Sequence, residues 1–199
     1  MSEIQNIRRE FKFPKKYSFA EFLEFVEGNE ERYELIDGRI YMMASPNVGH
    51  QDIVLFVGSA LKNYLKGKKC RVFISPLDVV LFDKNKEDKE DKDNSQNVFQ
   101  PDVFVVCNAD KIAKDKIYGA PDFVVEVVSP SSEAHDYIRK LEIYKKYGVK
   151  EYWIINPETK EIFVYINCFK EVTEYSFEDK IKVGIFEDFE DFYIDFKEF

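Results

Sequence analysis

Phe123-Val124-Val125-Glu126-Val127-Val128 is the stretch on which the fold turns. It is short, rich in β-branched side chains and continuously apolar apart from one acid, so it reads as a strand covered on both faces. Such a strand belongs inside a sheet that carries helices on its sides. Upstream, Asp102-Val103-Phe104-Val105-Val106-Cys107 repeats the pattern after Gln100-Pro101. Downstream, residues 131–147 change to a helical period that stops at Gly148.

The remaining elements follow outward from this centre. Ser18-Phe19-Ala20-Glu21 fits a capping box and predicts a helix through Val26. Residues 31–36 and 39–43 read as strands joined by Asp37-Gly38, a two-residue hairpin signal. After the loop Pro46-Asn47-Val48-Gly49, the apolar residues Ile53, Phe56, Val57, Ala60, Leu61 and Tyr64 form a helical stripe over 50–65. Residues 71–82 read as one strand bent at Pro76, and 152–155 and 161–166 as strands joined around Asn156-Pro157-Glu158. Weaker strands occupy 172–186. The expected class is α/β (α+β): a central mixed β-sheet flanked by helices, with an N-terminal helix and hairpin. A single domain spans 17–186, preceded by an extension at 1–16. A charged, solvated insertion at 84–97 interrupts a long hairpin, and an acidic-aromatic tail at 187–199 packs on the edge of the domain.

Composition narrows the function. The chain has 199 residues, 45% of them hydrophobic, which suits one globular domain with a real core. Its net charge of −9 argues against coating nucleic acid or anionic membrane by bulk charge. Residues 83–93 carry −2 of that and 187–198 carry −5, leaving the rest of the chain at −2. Lys111, Lys114, Lys116, Arg139, Lys145, Lys146 and Lys150 can therefore still supply a basic rim. The charged N-terminus is no secretory signal, and no apolar run approaches a membrane span. Cys70, Cys107 and Cys168 are scattered, and only His50 and His135 could add nitrogen ligands, so a zinc site or disulfide is not expected. The expectation is three reduced thiols in a cytoplasmic protein.

The informative residues break their local pattern. Glu126 interrupts an apolar strand, and an unpaired carboxylate there is too costly to stand without a proton, a donor or a metal. Strand alternation sets Asp102 with Phe104 and Val106, and Glu126 with Val124 and Val128. If the two strands pair, both carboxylates can meet over one cation. Asp122 shares a face with Glu126 but lies roughly 13 Å away along the strand, too far for one metal, so it reads as a residue that begins its strand. On the helix that follows, Asp136 and Lys140 fall inside the apolar arc, where an ammonium can point back at Glu126. Glu34 alternates with apolar neighbours in Arg32-Tyr33-Glu34-Leu35-Ile36, which an exposed strand face explains equally well. Oxygen-only ligands suit Mg²⁺ or Mn²⁺ rather than zinc. Asp, Glu and Lys together make a toolkit for phosphodiester hydrolysis.

Pro101-Asp102, Glu126-Val127-Val128-Ser129-Pro130-Ser131, Asp136 and Lys140 together resemble the Uma-two restriction-endonuclease family, within the PD-(D/E)xK nuclease superfamily. Residues 32–38, His50-Gln51 and 150–157 match in consistent order. The resemblance implies a restriction-endonuclease-like fold and metal-dependent cleavage of DNA, with Asp102 and Glu126 as metal ligands and Glu34 as an additional acid. The superfamily places a Lys two residues after the second acid; here that residue is Val128, so Lys140 takes its role. Gln100, Asp136, His50 and Ser129 are the supporting or substrate-binding candidates, and a homodimer is the expected assembly. Blander readings stand beside these. They are a buried ion network without turnover, a first-turn polar residue at His50, and capping by Ser131 or Ser132 in place of a substrate contact at Ser129. A catalytically inactive nuclease fold that binds DNA or protein is the alternative function.

Overall fold

The computed structural model describes residues 15–82, 92–128, 134–186 and 191–199. Helix α1 (Phe19–Val26) starts on the expected capping box: Ser18 Oγ accepts the Glu21 N–H, and the Glu21 carboxylate accepts the Ser18 N–H. Strands β1 (Tyr33–Ile36) and β2 (Arg39–Met42) meet at Ile36↔Arg39. Their turn residues Asp37 and Gly38 have φ of 49° and 76°, as a two-residue hairpin turn of this hand requires. A Cβ on Gly38 would stand 2.9 Å from that of Lys16, so glycine is needed there twice over. Helix α2 (Val48–Tyr64) is capped by Asn47, whose Oδ1 accepts the His50 N–H.

The segment 71–82 is not the single bent strand expected from its pattern. β3 (Arg71–Ile74) and β4 (Asp78–Val80) enter different sheets. Pro76 lies between them, with no N–H to continue a ladder, so the chain changes sheet there. β5 (Val98–Phe99), β6 (Val103–Val106), β7 (Lys116–Tyr118) and β8 (Phe123–Val127) follow. Helix α3 (Ala134–Tyr147) crosses from β8 to the parallel neighbour β9 (Glu151–Asn156), and β10 (Glu161–Ile166) and β11 (Glu171–Ser176) complete a meander. The central sheet has the order β11-β10-β9-β8-β6-β3 and is mixed, as expected; a second sheet has the order β2-β1-β5-β4-β7.

Packing explains both sheets. Val103, Val105, Phe123, Val125 and Trp153 on one face of the central sheet pack on Ile53, Val57 and Leu61 of α2. Phe104, Val124 and Tyr152 on the other face meet Tyr144 of α3 and Ile36, Val79 and Phe99 of the second sheet. The far side of the second sheet buries Leu35, Val80 and Val98 against Phe19 and Phe22 of α1. Both faces of β8 are therefore covered, which is why its sequence is apolar throughout. β12 (Lys180–Lys182) pairs with β13 (Tyr193–Asp195), and Ile194 and Phe196 join the α2-side core. Among the described residues no helix is long and apolar enough to cross a membrane.

The expectation of three free thiols is corrected: Cys70 and Cys107 form a disulfide, and Cys168 is free and exposed. The register of β3 and β6 pairs Arg71 with Val106, so the residues just outside that pair face each other. Two cysteines 37 residues apart in sequence thus come within a Cα–Cα distance of 4.0 Å.

Glu151, at the start of β9, is buried to 1% exposure. Its Oε1 accepts the Trp153 indole N–H at 2.7 Å, and its Oε2 accepts the Gly184 and Ile185 N–H groups at 2.7 and 3.1 Å. Burial pushes its pKa up to about 7 against the pull of these donors. Because the folded value is raised, the group's contribution to stability is full at low pH and is lost as pH rises through about 7. Glu151→Gln would turn an amide NH₂ toward N–H donors. We expect it to lose about 2–4 kcal/mol in denaturant melts; a loss under about 0.5 kcal/mol, the scatter of neutral substitutions, would mean that the hydrogen bonds from Trp153, Gly184 and Ile185 do not depend on the carboxylate.

Candidate active site

The site forms where β6 starts and β8 ends, beside helix α3. Val103↔Val125 is the last paired position, so the register places Asp102 opposite Glu126, as the alternation argument required. Asp102 follows Pro101 outside the ladder, and its carboxylate takes the place of a strand partner. Asp102 Oδ2 accepts the Val127 N–H at 2.8 Å and lies 3.1 Å from His50 Nε2 in the first turn of α2. Asp102 and His50 are both buried.

Glu126 faces α3. Its Oε1 accepts the Tyr144 hydroxyl at 2.7 Å and lies 3.1 Å from Lys140 Nζ. Lys140 is also 3.0 Å from each oxygen of Glu34, which is buried, so the exposed-face reading of Glu34 falls. Glu34 Oε1 in turn accepts the Gln100 N–H at 2.9 Å. The Gln100 amide nitrogen donates to Asp78 Oδ1 at 2.9 Å, while its Oε1 is buried with no hydrogen-bond partner among the described residues. Elements remote in sequence thus bring Glu34, Gln100, Lys140 and Glu126 into one hydrogen-bonded network, with the Asp102–His50 pair set beside it by the β6–β8 register. Val128, two residues after Glu126, gives its backbone N–H to Ile155 O at 2.7 Å, and Lys140 reaches Glu126 from the helix.

Electrostatics follow from burial. Burial pushes Glu126 up to about 7; Lys140 opposes this, but it is shared with Glu34, and the Asp102 and Glu34 charges add to the rise. Burial alone would lower Lys140, yet the carboxylates of Glu126 and Glu34 outweigh it and hold its pKa above the ordinary lysine value, so the ammonium stays charged. The Tyr144 hydroxyl is held well above its ordinary range by burial and then by Glu126, so it remains a donor.

Other expected residues take different places. Asp122 is structural: its Oδ2 accepts the Cys107 N–H at 2.8 Å and its Oδ1 pairs with Lys150 at 3.0 Å. Ser129 and the Asp136 side chain lie outside the described residues. Within the basic rim, Lys111 donates to Ala120 O, Lys116 pairs with Asp115 and Lys150 with Asp122. Tyr144 and Asp78 were missed by pattern reading. Tyr144 was legible, since it stands four residues after Lys140 on the same helix face; nothing local marks Asp78.

Donor chemistry tests whether a cation fits. Asp102 Oδ1 and Glu126 Oε2 accept no hydrogen bond among the described residues, whereas their partner oxygens are saturated. Among those residues no group of three or more His, Cys, Asp or Glu side chains converges on one point. A hard divalent ion that takes one or two carboxylates and fills its shell with water and substrate oxygens suits this set. A tetrahedral zinc site does not.

Comparisons with known proteins agree with the architecture. The crystal structure of a "putative nuclease belonging to DUF820" from Anabaena variabilis superposes with a TM-score of 0.71, covering 91% of this chain and 96% of that one at 19% identity, so the two share a fold. The family model described as "Uma2: Putative restriction endonuclease" matches residues 19–190, and the chain belongs to that family. An "Uncharacterized protein slr1290" from Synechocystis sp. is 30% identical over 154 residues, 77% of this chain and 75% of that protein.

Proposed function

We propose that the protein is a divalent-metal-dependent endonuclease that hydrolyses DNA phosphodiester bonds, with Mg²⁺ as the ion and Mn²⁺ as a substitute. The observation that carries this reading is the juxtaposition of Asp102 and Glu126 across paired strands, each with one uncommitted oxygen, beside a Lys140 ammonium 3.1 Å from Glu126. Asp102 and Glu126 would hold the ion, which supplies Lewis-acid polarisation of the phosphoryl oxygen and a more acidic water. The chain's own residues do the rest. Val127 N–H and His50 fix Asp102, Tyr144 fixes Glu126, and Glu34 holds Lys140 in place. The permanent charge on Lys140 favours the added negative charge of a five-coordinate phosphorus and orients the attacking water. Two-strand scission needs two such sites, so the reading includes a homodimer acting on DNA in the cytoplasm.

The test is incubation of purified protein with supercoiled plasmid and single-stranded DNA in Mg²⁺ or Mn²⁺, beside Glu126→Ala. Nicking by the wild type that the variant lacks supports the reading. Cleavage that persists in Glu126→Ala would remove this site. Absence of cleavage with retained gel retardation would favour a DNA-binding module on a nuclease fold.

A further inference from the structure

We propose that Arg139, oriented by Tyr41, is a contact for a DNA backbone phosphate at the mouth of the Asp102–Glu126 site; this rests on the endonuclease reading. Two neighbouring pairs give the placement. Glu34 and Tyr41 are cross-strand partners in the β1–β2 hairpin, so their side chains stand side by side on one face. Arg139 immediately precedes Lys140 on α3. Lys140 reaches Glu34, while Arg139 Nη1 donates to the Tyr41 hydroxyl oxygen. The Arg139 guanidinium carbon also lies 5.6 Å from the Tyr41 ring centroid. Glu34 and Lys140 are buried, whereas Arg139 and Tyr41 are half-buried. The outer pair therefore lies between the buried ion network and solvent.

Charge explains what such a pair is for. Glu34, Asp102 and Glu126 outnumber Lys140 inside the site, and a polyanionic substrate must approach that surplus. Arg139 makes no ion pair with a carboxylate among the described residues, unlike Lys116 and Lys150. A guanidinium carries five N–H donors, and its planar fork matches two phosphate oxygens. Among the described residues one donor is spent on Tyr41, leaving the others for an oxyanion. Anchoring by the hydroxyl and the ring lowers the cost of ordering a long side chain when the ligand arrives. A strap that merely ties α3 to the hairpin would use the same hydrogen bond but would leave salt-dependent DNA binding untouched.

The experiment titrates the full-length wild type, Arg139→Gln, Arg139→Ala and Tyr41→Phe with a short fluorescent DNA duplex in Ca²⁺ and in EDTA, over roughly 50–200 mM salt. For the Arg139 variants we expect a Kd about tenfold weaker at low salt. Their slope of log K against log salt should be shallower by about 0.9. Both effects should be equal for unrelated duplex sequences, because a phosphate contact carries no sequence information. Tyr41→Phe keeps the charge, so it should weaken binding less and leave the slope unchanged. Arg139→Gln removes the charge but keeps part of the aliphatic stem and a neutral N–H donor, so it decides the matter if the Ala variant does not fold. Wild-type affinity and slope in a folded Arg139 variant would overturn the proposal, as would a lowered melting temperature with an unchanged slope. If the wild type cleaves DNA and Arg139→Gln behaves identically, only this contact fails. If the wild type neither binds nor cleaves DNA, the endonuclease reading fails with it.

Discussion

A Lys140→Ala variant is expected to lose DNA cleavage and also to melt far below the wild type. Lys140 Nζ is the cation between Glu34 and Glu126, with contacts of 3.0 and 3.1 Å, and all three side chains are buried. Removing it leaves two carboxylates in an apolar layer with no counter-charge. Breaking a buried pair from one side costs about 3–5 kcal/mol, which for a chain of this size lowers the melting temperature by roughly 10 °C or more. The sign of the pH dependence tests the cause. Without the ammonium the two acids must take up protons to stay buried, so the deficit should be larger at alkaline than at acid pH. A deficit that does not change with pH would mean that Lys140 contributes packing rather than charge.

Glu126→Gln should separate function from stability. The amide keeps the size of the side chain and an oxygen for the Tyr144 and Lys140 donors, but it cannot supply an anionic ligand. Loss of several kcal/mol of transition-state stabilisation corresponds to a cleavage rate about a thousandfold lower, while the fold survives at pH 8. Burial pushes the Glu126 carboxyl from its ordinary 4.5 up to about 7. A raised folded value means that its contribution to metal-free stability is full below about 4.5 and is lost as pH rises through about 7. The wild type should therefore become less stable across that window, and Glu126→Gln should lack this part of the slope. Metal affinity should move the opposite way, rising with pH as the proton leaves. Calorimetric Mn²⁺ titrations at acid and alkaline pH check this, and a wild-type affinity independent of pH would count against Glu126 as a ligand.

Much of the site was legible because its residues violate local patterns. Glu126 stands out in an apolar strand, and Lys140 stands out on the apolar arc of a helix. Each anomaly is visible within a few residues, since periods of 2 and 3.6 are local properties. Glu34 was less legible. One acid alternating with apolar neighbours looks the same on an exposed face as on a buried one. Burial of that face depends on α3, and the Glu34–Lys140 hydrogen bond spans 106 residues. The second sheet was hidden for a similar reason: Pro76 marks a bend in sequence, but only packing shows that the chain beyond it joins another sheet.

The chemical inventory, the mixed sheet with its helices, and the strand face on which Asp102 and Glu126 lie can all be read along the chain. Backbone geometry sets those outcomes over a few residues at a time. Which of these groups meet depends on how the layers pack. The β6–β8 register sets Asp102 against Glu126, and the β3–β6 register brings Cys70 to Cys107. Packing of the second sheet under α3 carries Glu34 and Gln100 to Lys140. Register and layer order are non-local, since they depend on burying whole faces at once, and no short stretch of the chain contains that information.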